Sequence, residues 1–191
     1  MLPVLVALAF SSAPTVCSAA PEESAPELQE ARLAAGNSAP DFSFTTLGGD
    51  HIDSEELRGK VVLLDFWATW CGPCRSALPH LRGLSGRMDK DPFVIISVSR
   101  DSDDGALAGY IEQNRMTWPQ LWDEKGRIGS LFQTRCLPTY ILLDHQGAVL
   151  YRVLGWSTQV GGVLTSKVLK AIRAAKKAAK KQRKQRPGRL N

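Results

Sequence analysis

The stretch LLDFWATWCGPC, residues 63–74, sets two cysteines directly after a run of apolar residues. That run, KVVLLDF at residues 60–66, has the length and composition of a strand that is buried on both faces. Beyond it, residues on one helix face recur at Cys74, Leu78, Leu81, Leu84 and Met88. The pattern predicts a central strand and then a helix that begins at the cysteine motif and is kinked by Pro79.

A C-x-x-C motif at the start of a helix is typical of a redox-active site. The unpaired backbone N–H groups and the dipole of the helix N-terminus stabilise a thiolate there. We therefore expect Cys71 to be the exposed, attacking nucleophile and Cys74, one turn further in, to resolve the mixed disulfide. Pro73 is tolerated early in the helix because the N–H that it lacks would have no partner there.

Half of a zinc site is the structural alternative for the two cysteines. Structural zinc needs four closely spaced ligands, and the other candidates, Cys136, His80 and His145, are isolated along the chain. The remaining cysteine is Cys17, and four cysteines are too few for a disulfide scaffold of 191 residues. We expect no metal, and no motif for a phosphate, flavin or nicotinamide group indicates a cofactor.

Asp65 is the only acid within the apolar run. Burial of a carboxyl group is costly, so a buried acid usually has a role. We expect burial to raise the pKa of Asp65, which would then accept, directly or through water, the proton that Cys74 must lose. A structural acid bonded to the backbone is the alternative.

The N-terminal segment MLPVLVALAFSSAPTVCSAAP resembles an export signal. Its apolar core at residues 2–10 is too short to span a bilayer, and Ser18 and Ala20 suit a cleavage site. No Lys or Arg precedes the core, and Val16 is bulkier than lipid attachment at Cys17 prefers. We expect residues 1–20 to be a signal peptide of an exported, periplasmic or membrane-associated protein; without a signal the protein would be cytoplasmic.

Three further regions follow the signal. Residues 21–37, rich in Ala, Glu and Pro, are predicted to form a spacer, residues 38–172 a globular domain, and residues 173–191 a basic tail. Charge supports this division, because residues 167–191 hold 11 of the 24 Lys and Arg residues and none of the 19 acids. The tail is either a solvated appendage or a contact for an anionic membrane surface, and nucleic acid is a weaker partner for an exported protein.

The domain itself alternates strand and helix patterns. Phe42, Phe44 and Leu47 indicate a short strand, and Asp53 with Glu56 is typical of a helix N-cap. Buried strands are predicted at residues 93–98, 138–144 and 148–155, and a long last helix from Thr158. The order predicts an α/β fold with a mixed central sheet flanked by helices.

FWATWCGPC followed by LPT resembles the thioredoxin superfamily, and the wider layout resembles its TlpA/ResA-like branch of exported thiol–disulfide oxidoreductases. The resemblance covers roughly residues 38–172. It is carried by three stretches that occur in the expected order, namely residues 39–81, WPQLWDEKG and LPTYILLDHQG. It implies a thioredoxin fold, a cis Pro138 facing the cysteines, and a Leu137 backbone that pairs with a substrate strand. Substrate contacts are then expected at Trp70, Gly72, Pro73, Leu137 and Pro138.

Three positions depart from that branch. Ala77 stands where many members have glutamate, and Asp65 where many have asparagine, although thioredoxin itself has aspartate there. The pair Gly72–Pro73 carries no cation that would stabilise the thiolate further, which favours a reductant over an oxidant. Cys136 replaces a common glycine and is either an inert small side chain or a third redox thiol.

These features favour an enzyme that reduces protein disulfides outside the cytoplasm and is recharged by an upstream thiol donor. A thiol peroxidase on the same fold is the first alternative, since Thr69 and Arg75 flank the cysteines as a peroxidatic site requires. The second alternative is a non-catalytic module that tethers partners through its basic tail, against which the intact C-x-x-C motif argues.

Overall fold

A computed structural model describes residues 15–16 and 35–185 of the chain. Nine strands and four helices lie within these residues. The strands are β1 Thr15–Val16, β2 Ser43–Thr45, β3 His51–Asp53, β4 Val61–Trp67, β5 Phe93–Ser99, β6 Gln120–Trp122, β7 Cys136–Leu137, β8 Thr139–Leu143 and β9 Val149–Leu154. The helices are α1 Gly72–Arg87, α2 Asp104–Gln113, α3 Arg127–Leu131 and α4 Thr158–Gln185.

Five strands form the central sheet in the order β6-β5-β4-β8-β9. Strands β4, β5 and β6 are parallel, whereas β8 is antiparallel to β4 and β9 is antiparallel to β8. The prediction of a mixed central sheet flanked by helices is therefore confirmed. Every residue of β4 is buried, as the continuous apolar run predicts for a central strand.

The sheet has two ends that matter for the site. Strand β4 finishes at Trp67, beside Thr139 and Leu154 of the neighbouring strands, and the cysteines follow it. We refer to this end as the cysteine end. Helix α1 therefore starts at the cysteine end. Strand β5 then begins at the opposite end of the sheet, where Phe93 pairs with Val61.

The two faces of the sheet are covered by different elements. On one face Tyr140 contacts Trp156, whose ring centroid lies 5.1 Å from that of His80 in α1. On the other face Phe132, which follows α3, contacts both Phe42 and Phe66. Because Asp65 pairs directly with Tyr140 across the strands, its side chain shares the face that α1 covers.

Helix α4 runs the length of the sheet and continues past it. It starts near the cysteine end, where an added Cβ at Gly161 would lie 2.7 Å from Trp156. Ala175 is its last buried residue, and Lys176 pairs with Asp91, just before β5 at the opposite end of the sheet. The following turns to Gln185 are helical but largely exposed.

One local prediction was wrong. Asp53 does not begin a helix; it ends β3, the second strand of a hairpin with β2. Its carboxylate does accept the N–H of Glu55, at 2.8 Å, but it caps a turn. Gly59 adopts a φ of +90° shortly before β4 begins, so the segment is too short for a helix.

A short pairing lies outside the central sheet. Strand β1 pairs in parallel with β7, placing Thr15 opposite Cys136 and Val16 opposite Leu137. The rest of the predicted signal peptide and spacer lies outside the described residues, apart from 35–37. Within the described part of the chain, no helix combines the length and apolar character needed to cross a bilayer.

Candidate active site

The two cysteines of the C-x-x-C motif are joined by a disulfide at the start of α1. Their Cα atoms lie 5.3 Å apart. Cys71 is the N-cap residue, and its Sγ accepts the backbone N–H of Cys74 at 3.3 Å. Gly72 and Pro73 form the first turn of the helix, in which no acidic residue is present. The helix N-terminus therefore directs a backbone donor and its positive dipole end at the sulfur of Cys71.

The expected exposure of Cys71 is not seen in this oxidised form. Cys71 is fully buried and Cys74 is 5% exposed. The reason is geometric, because the disulfide ties Cys71 to Cys74, which lies on the buried side of α1. The accessible surface of the site is formed by its neighbours: Trp70 is 46% exposed, and Gly72 and Pro73 are half-buried.

The loop between β4 and the cysteines is anchored by a buried carboxylate, Asp101. The carboxylate accepts the backbone N–H of Thr69 at 3.0 Å and its hydroxyl at 2.6 Å. Ser99 donates a further hydrogen bond of 2.6 Å to the same group. These contacts fix the backbone two residues before Cys71. They also occupy the Thr69 hydroxyl that a peroxidatic site would use, while Arg75 is exposed on α1.

Asp65 is buried on the sheet face that α1 covers, with 2% of its surface exposed. Ser97, its direct neighbour on β5, donates a hydrogen bond of 2.7 Å to Oδ2. Oδ1 is buried and has no hydrogen-bond partner among the described residues. Burial raises the pKa of Asp65 to about 7, although the Ser97 hydrogen bond acts in the opposite direction. The carboxyl group is thus able to exchange a proton near neutral pH.

The segment before β8 contains the expected cis peptide bond, between Leu137 and Pro138. Leu137 is buried, and its strand β7 carries the β1 pairing. Cys136 is half-buried and is itself disulfide-bonded. Ala77 is fully buried in α1 and adds no acid to the site, whereas Asp65 is a buried acid on β4.

Metal binding has no support in the described part of the chain. No three side chains among its His, Cys, Asp and Glu residues lie close enough to hold an ion. Cys71 and Cys74 are engaged with each other, and His80 contacts Trp156 and Thr165.

A family model described as the AhpC/TSA family matches residues 35–152 of the chain. The chain belongs to this family. It is 31% identical over 131 residues to the thiol-disulfide oxidoreductase ResA of Bacillus thuringiensis subsp. konkukian. The aligned region covers 69% of this chain and 76% of the relative. It is 33% identical over 124 residues to the thioredoxin-like protein YneN of Bacillus subtilis, covering 63% and 72% of the two chains.

Solved structures agree with this family assignment. The thioredoxin domain of a thiol-disulfide oxidoreductase from Bacteroides vulgatus superposes with a TM-score of 0.62 and 26% identity, covering 71% of this chain and 99% of that one. A thiol-disulfide oxidoreductase from Bacteroides fragilis gives a TM-score of 0.60 and 29% identity, covering 68% and 98%. The predicted thioredoxin fold and ResA-like resemblance are confirmed, and the protein is a thiol–disulfide oxidoreductase of the AhpC/TSA family.

Sequence reasoning missed several buried polar residues around the site. Ser97 and Ser99 interrupt an apolar strand at alternate positions, which places both on one face, and this signal was available. Trp118 and Asp101 lie in segments without a regular pattern. Their contacts with Ser97 and Thr69 become visible only when the strands are paired.

The buried Asp65 gives a prediction for stability. A carboxyl whose pKa is about 7 when folded but about 3.9 when unfolded binds its proton more tightly in the folded state. The tighter proton binding stabilises the folded protein fully below about pH 4. This stabilisation is lost as the pH rises to 7, and the free energy of unfolding falls by up to roughly 4 kcal/mol. Asp65→Asn should therefore raise the free energy of unfolding of the oxidised protein at pH 8, relative to wild type, far more than at pH 4.

Urea denaturation at the two pH values measures this difference. The comparison of variant with wild type cancels the other titrating groups, which are the same in both proteins. An equal effect of Asp65→Asn at pH 4 and pH 8 would show that folding does not raise the pKa of the carboxyl, contrary to the effect expected from its burial.

Proposed function

We propose that this thiol–disulfide oxidoreductase reduces the disulfides of protein substrates outside the cytoplasm, through a Cys71/Cys74 dithiol–disulfide cycle. The observation that carries the proposal is the position of Cys71 at the N-cap of α1, with Cys74 bonded to it from one turn further in. Only the first cysteine stands where the helix N-terminus stabilises a thiolate. An upstream thiol donor would return the oxidised pair to the dithiol.

In the proposed cycle the Cys71 thiolate attacks a substrate disulfide and forms a mixed disulfide, releasing one substrate thiolate. Cys74 then loses its proton to Asp65 and attacks Cys71. The mixed disulfide breaks, the Cys71–Cys74 disulfide forms, and the second substrate thiolate leaves. The substrate gains two electrons and the enzyme loses two, which gives the oxidised state described above.

The surface around the cysteines suits an extended substrate. Trp70 provides exposed aromatic area, and an added Cβ at Gly72 would meet no atom within 4 Å, so a substrate chain can approach closely. The pairing of β1 with Cys136–Leu137 supports a strand-binding role for this edge beside Pro138. Such binding relies on backbone hydrogen bonds and would accept many sequences.

Reduction is favoured over oxidation by the residues between the cysteines. Gly72 and Pro73 add no positive charge beside the thiolate, so the reduced form lacks the extra stabilisation that makes a dithiol a strong oxidant. Cys136 is proposed as an additional redox thiol, because it lies two residues before Pro138 and takes part in a disulfide. A peroxidase function is less well supported, since Asp101 holds Thr69.

The N-terminal apolar segment supports export, and the end of α4 supports attachment to an anionic membrane surface. Residues 176–185 contain six Lys or Arg and no acid, and apart from half-buried Ala178 they are exposed. Each basic side chain near an anionic leaflet contributes about 1 kcal/mol. Because α4 leaves the domain opposite the cysteine end, a protein held by this segment would present Cys71 away from the membrane.

The proposed roles of the cysteines predict distinct phenotypes. Cys71→Ser should abolish dithiothreitol-driven insulin reduction, because no thiolate remains to begin the exchange. Cys74→Ala should keep the first attack and lose the release step, so mixed disulfides with substrate should accumulate on non-reducing gels. If Cys71→Ser accumulated such adducts and Cys74→Ala did not, Cys74 would be the attacking cysteine and Cys71 the resolving one. Rapid peroxide consumption by the wild-type protein would favour the peroxidase alternative.

The basic end of α4 predicts salt-sensitive vesicle binding. Full-length protein should cosediment with vesicles rich in phosphatidylserine at low ionic strength and be released at high salt. Truncation after Ala175 should remove this binding while leaving the fold and insulin reduction intact. A variant with the six basic residues of 176–185 changed to Gln keeps the length of the helix and should behave like the truncation. Absence of binding by the full-length protein at low salt would refute the membrane contact.

A further inference from the structure

The carboxyl group of Asp65 is held by a two-step hydrogen-bond chain. Ser97 donates to Oδ2 of Asp65 at 2.7 Å, and the indole Nε1 of Trp118 donates to the Ser97 hydroxyl at 2.8 Å. All three residues are buried, with exposed fractions of 2% for Asp65, 0% for Ser97 and 6% for Trp118. Bulk water therefore does not compete for the two hydrogen bonds of this chain.

The direction of these bonds is fixed by the chemistry of the donors. An indole N–H can only donate, so the Ser97 oxygen must accept from Trp118. The serine hydroxyl has a single hydrogen, which is then free to point at Asp65. Trp118 thus orients the hydroxyl, and the hydroxyl stabilises the charged form of the carboxylate at one oxygen.

The other oxygen of Asp65 is in a different situation. Oδ1 is buried and has no hydrogen-bond partner among the described residues. A proton taken up by the carboxyl group would find Oδ2 engaged as an acceptor and Oδ1 open. The two oxygens of one carboxyl group are therefore not equivalent in this structure.

We propose that Ser97, oriented by Trp118, is a positioning residue that holds Oδ2 of Asp65 and leaves Oδ1 to take the proton of the Cys74 thiol during release. This inference rests on the proposed role of Asp65 as the proton acceptor. The S–H bond of Cys74 breaks and an O–H bond forms at Oδ1. The Cys74 thiolate then attacks Cys71, and the proton later leaves Asp65 for solvent or for the departing substrate thiolate.

Other groups near Asp65 do not replace Ser97 in this role. Tyr140 faces Asp65 from β8, but burial, followed by the nearby Asp65 charge, raises the pKa of its phenol, which therefore stays protonated. From α1, Cys74 is the reacting group, and the contacts of His80 are with Trp156 and Thr165. Ser97 is thus the residue whose removal should change the ionisation of Asp65 most selectively.

The test compares wild type with Ser97→Ala by two measurements on the full-length protein. Carbon-13 NMR of aspartate carboxyls reports the ionisation of Asp65, with Asp65→Asn used to assign its signal. Single-turnover kinetics between about pH 6 and 9 report the release of substrate from the mixed disulfide. Loss of the Ser97 donor should move both midpoints up by about one pH unit and slow release about tenfold on the acidic side.

Two further variants separate positioning from a loss of packing. Trp118→Phe retains an aromatic ring but removes the donor, and should move the midpoint in the same direction by a smaller amount. In an Asp65→Asn background, Ser97→Ala should cause no further change in the pH profile, because the group that it acts on is absent. A purely structural role for Ser97 would instead slow release at every pH in both backgrounds.

The outcomes distinguish this inference from the function on which it rests. Upward shifts of both midpoints support it. An unchanged NMR titration of Asp65 in Ser97→Ala overturns it. A shifted NMR titration with unchanged release kinetics would overturn the role of Asp65 as the proton acceptor, and with it the positioning role assigned to Ser97, while the dithiol cycle of Cys71 and Cys74 would stand.

Discussion

The hydrogen bond from the Cys74 backbone N–H to the sulfur of Cys71 is the contact on which the chemistry of this protein depends. It exists because α1 begins five residues after the fully buried strand β4 ends, with Cys71 as its N-cap. The strand fixes the start of the helix in space, and Asp101 fixes the loop between them through Thr69. The reactivity of one sulfur is therefore set by backbone geometry, which many side-chain changes elsewhere would leave intact.

The buried strand β4 also explains the unusual ionisation of Asp65. A carboxyl group in the middle of β4 destabilises the folded protein at neutral pH, since its charged form is deprived of water. The hydrogen bond from Ser97 offsets only part of this penalty, and the pKa of Asp65 stays near 7. In the proposed cycle, a carboxyl group with this pKa would accept the proton of Cys74 and return it, which a solvated aspartate would do poorly at neutral pH.

Much of this could be predicted from the sequence, because the strongest signals were local. The apolar run of β4, the helix beginning at Cys71 and the buried Asp65 all follow from residues 60–88. What could not be predicted depends on pairing between distant segments. Ser97 meets Asp65 only through the register of β4 with β5, and Trp118 reaches Ser97 from outside any strand. The misassigned helix at Asp53 has a related cause, since its capping pattern also suits the turn after a hairpin strand.

Competitive alkylation of the reduced protein tests the central assignment most directly. Brief treatment with iodoacetamide at pH 7, followed by peptide mass spectrometry, gives the relative rates at which Cys71 and Cys74 are modified. If the helix N-terminus stabilises the Cys71 thiolate while α1 shields Cys74, Cys71 should react at least about tenfold faster. Equal rates, or faster modification of Cys74, would contradict the assignment of Cys71 as the attacking nucleophile.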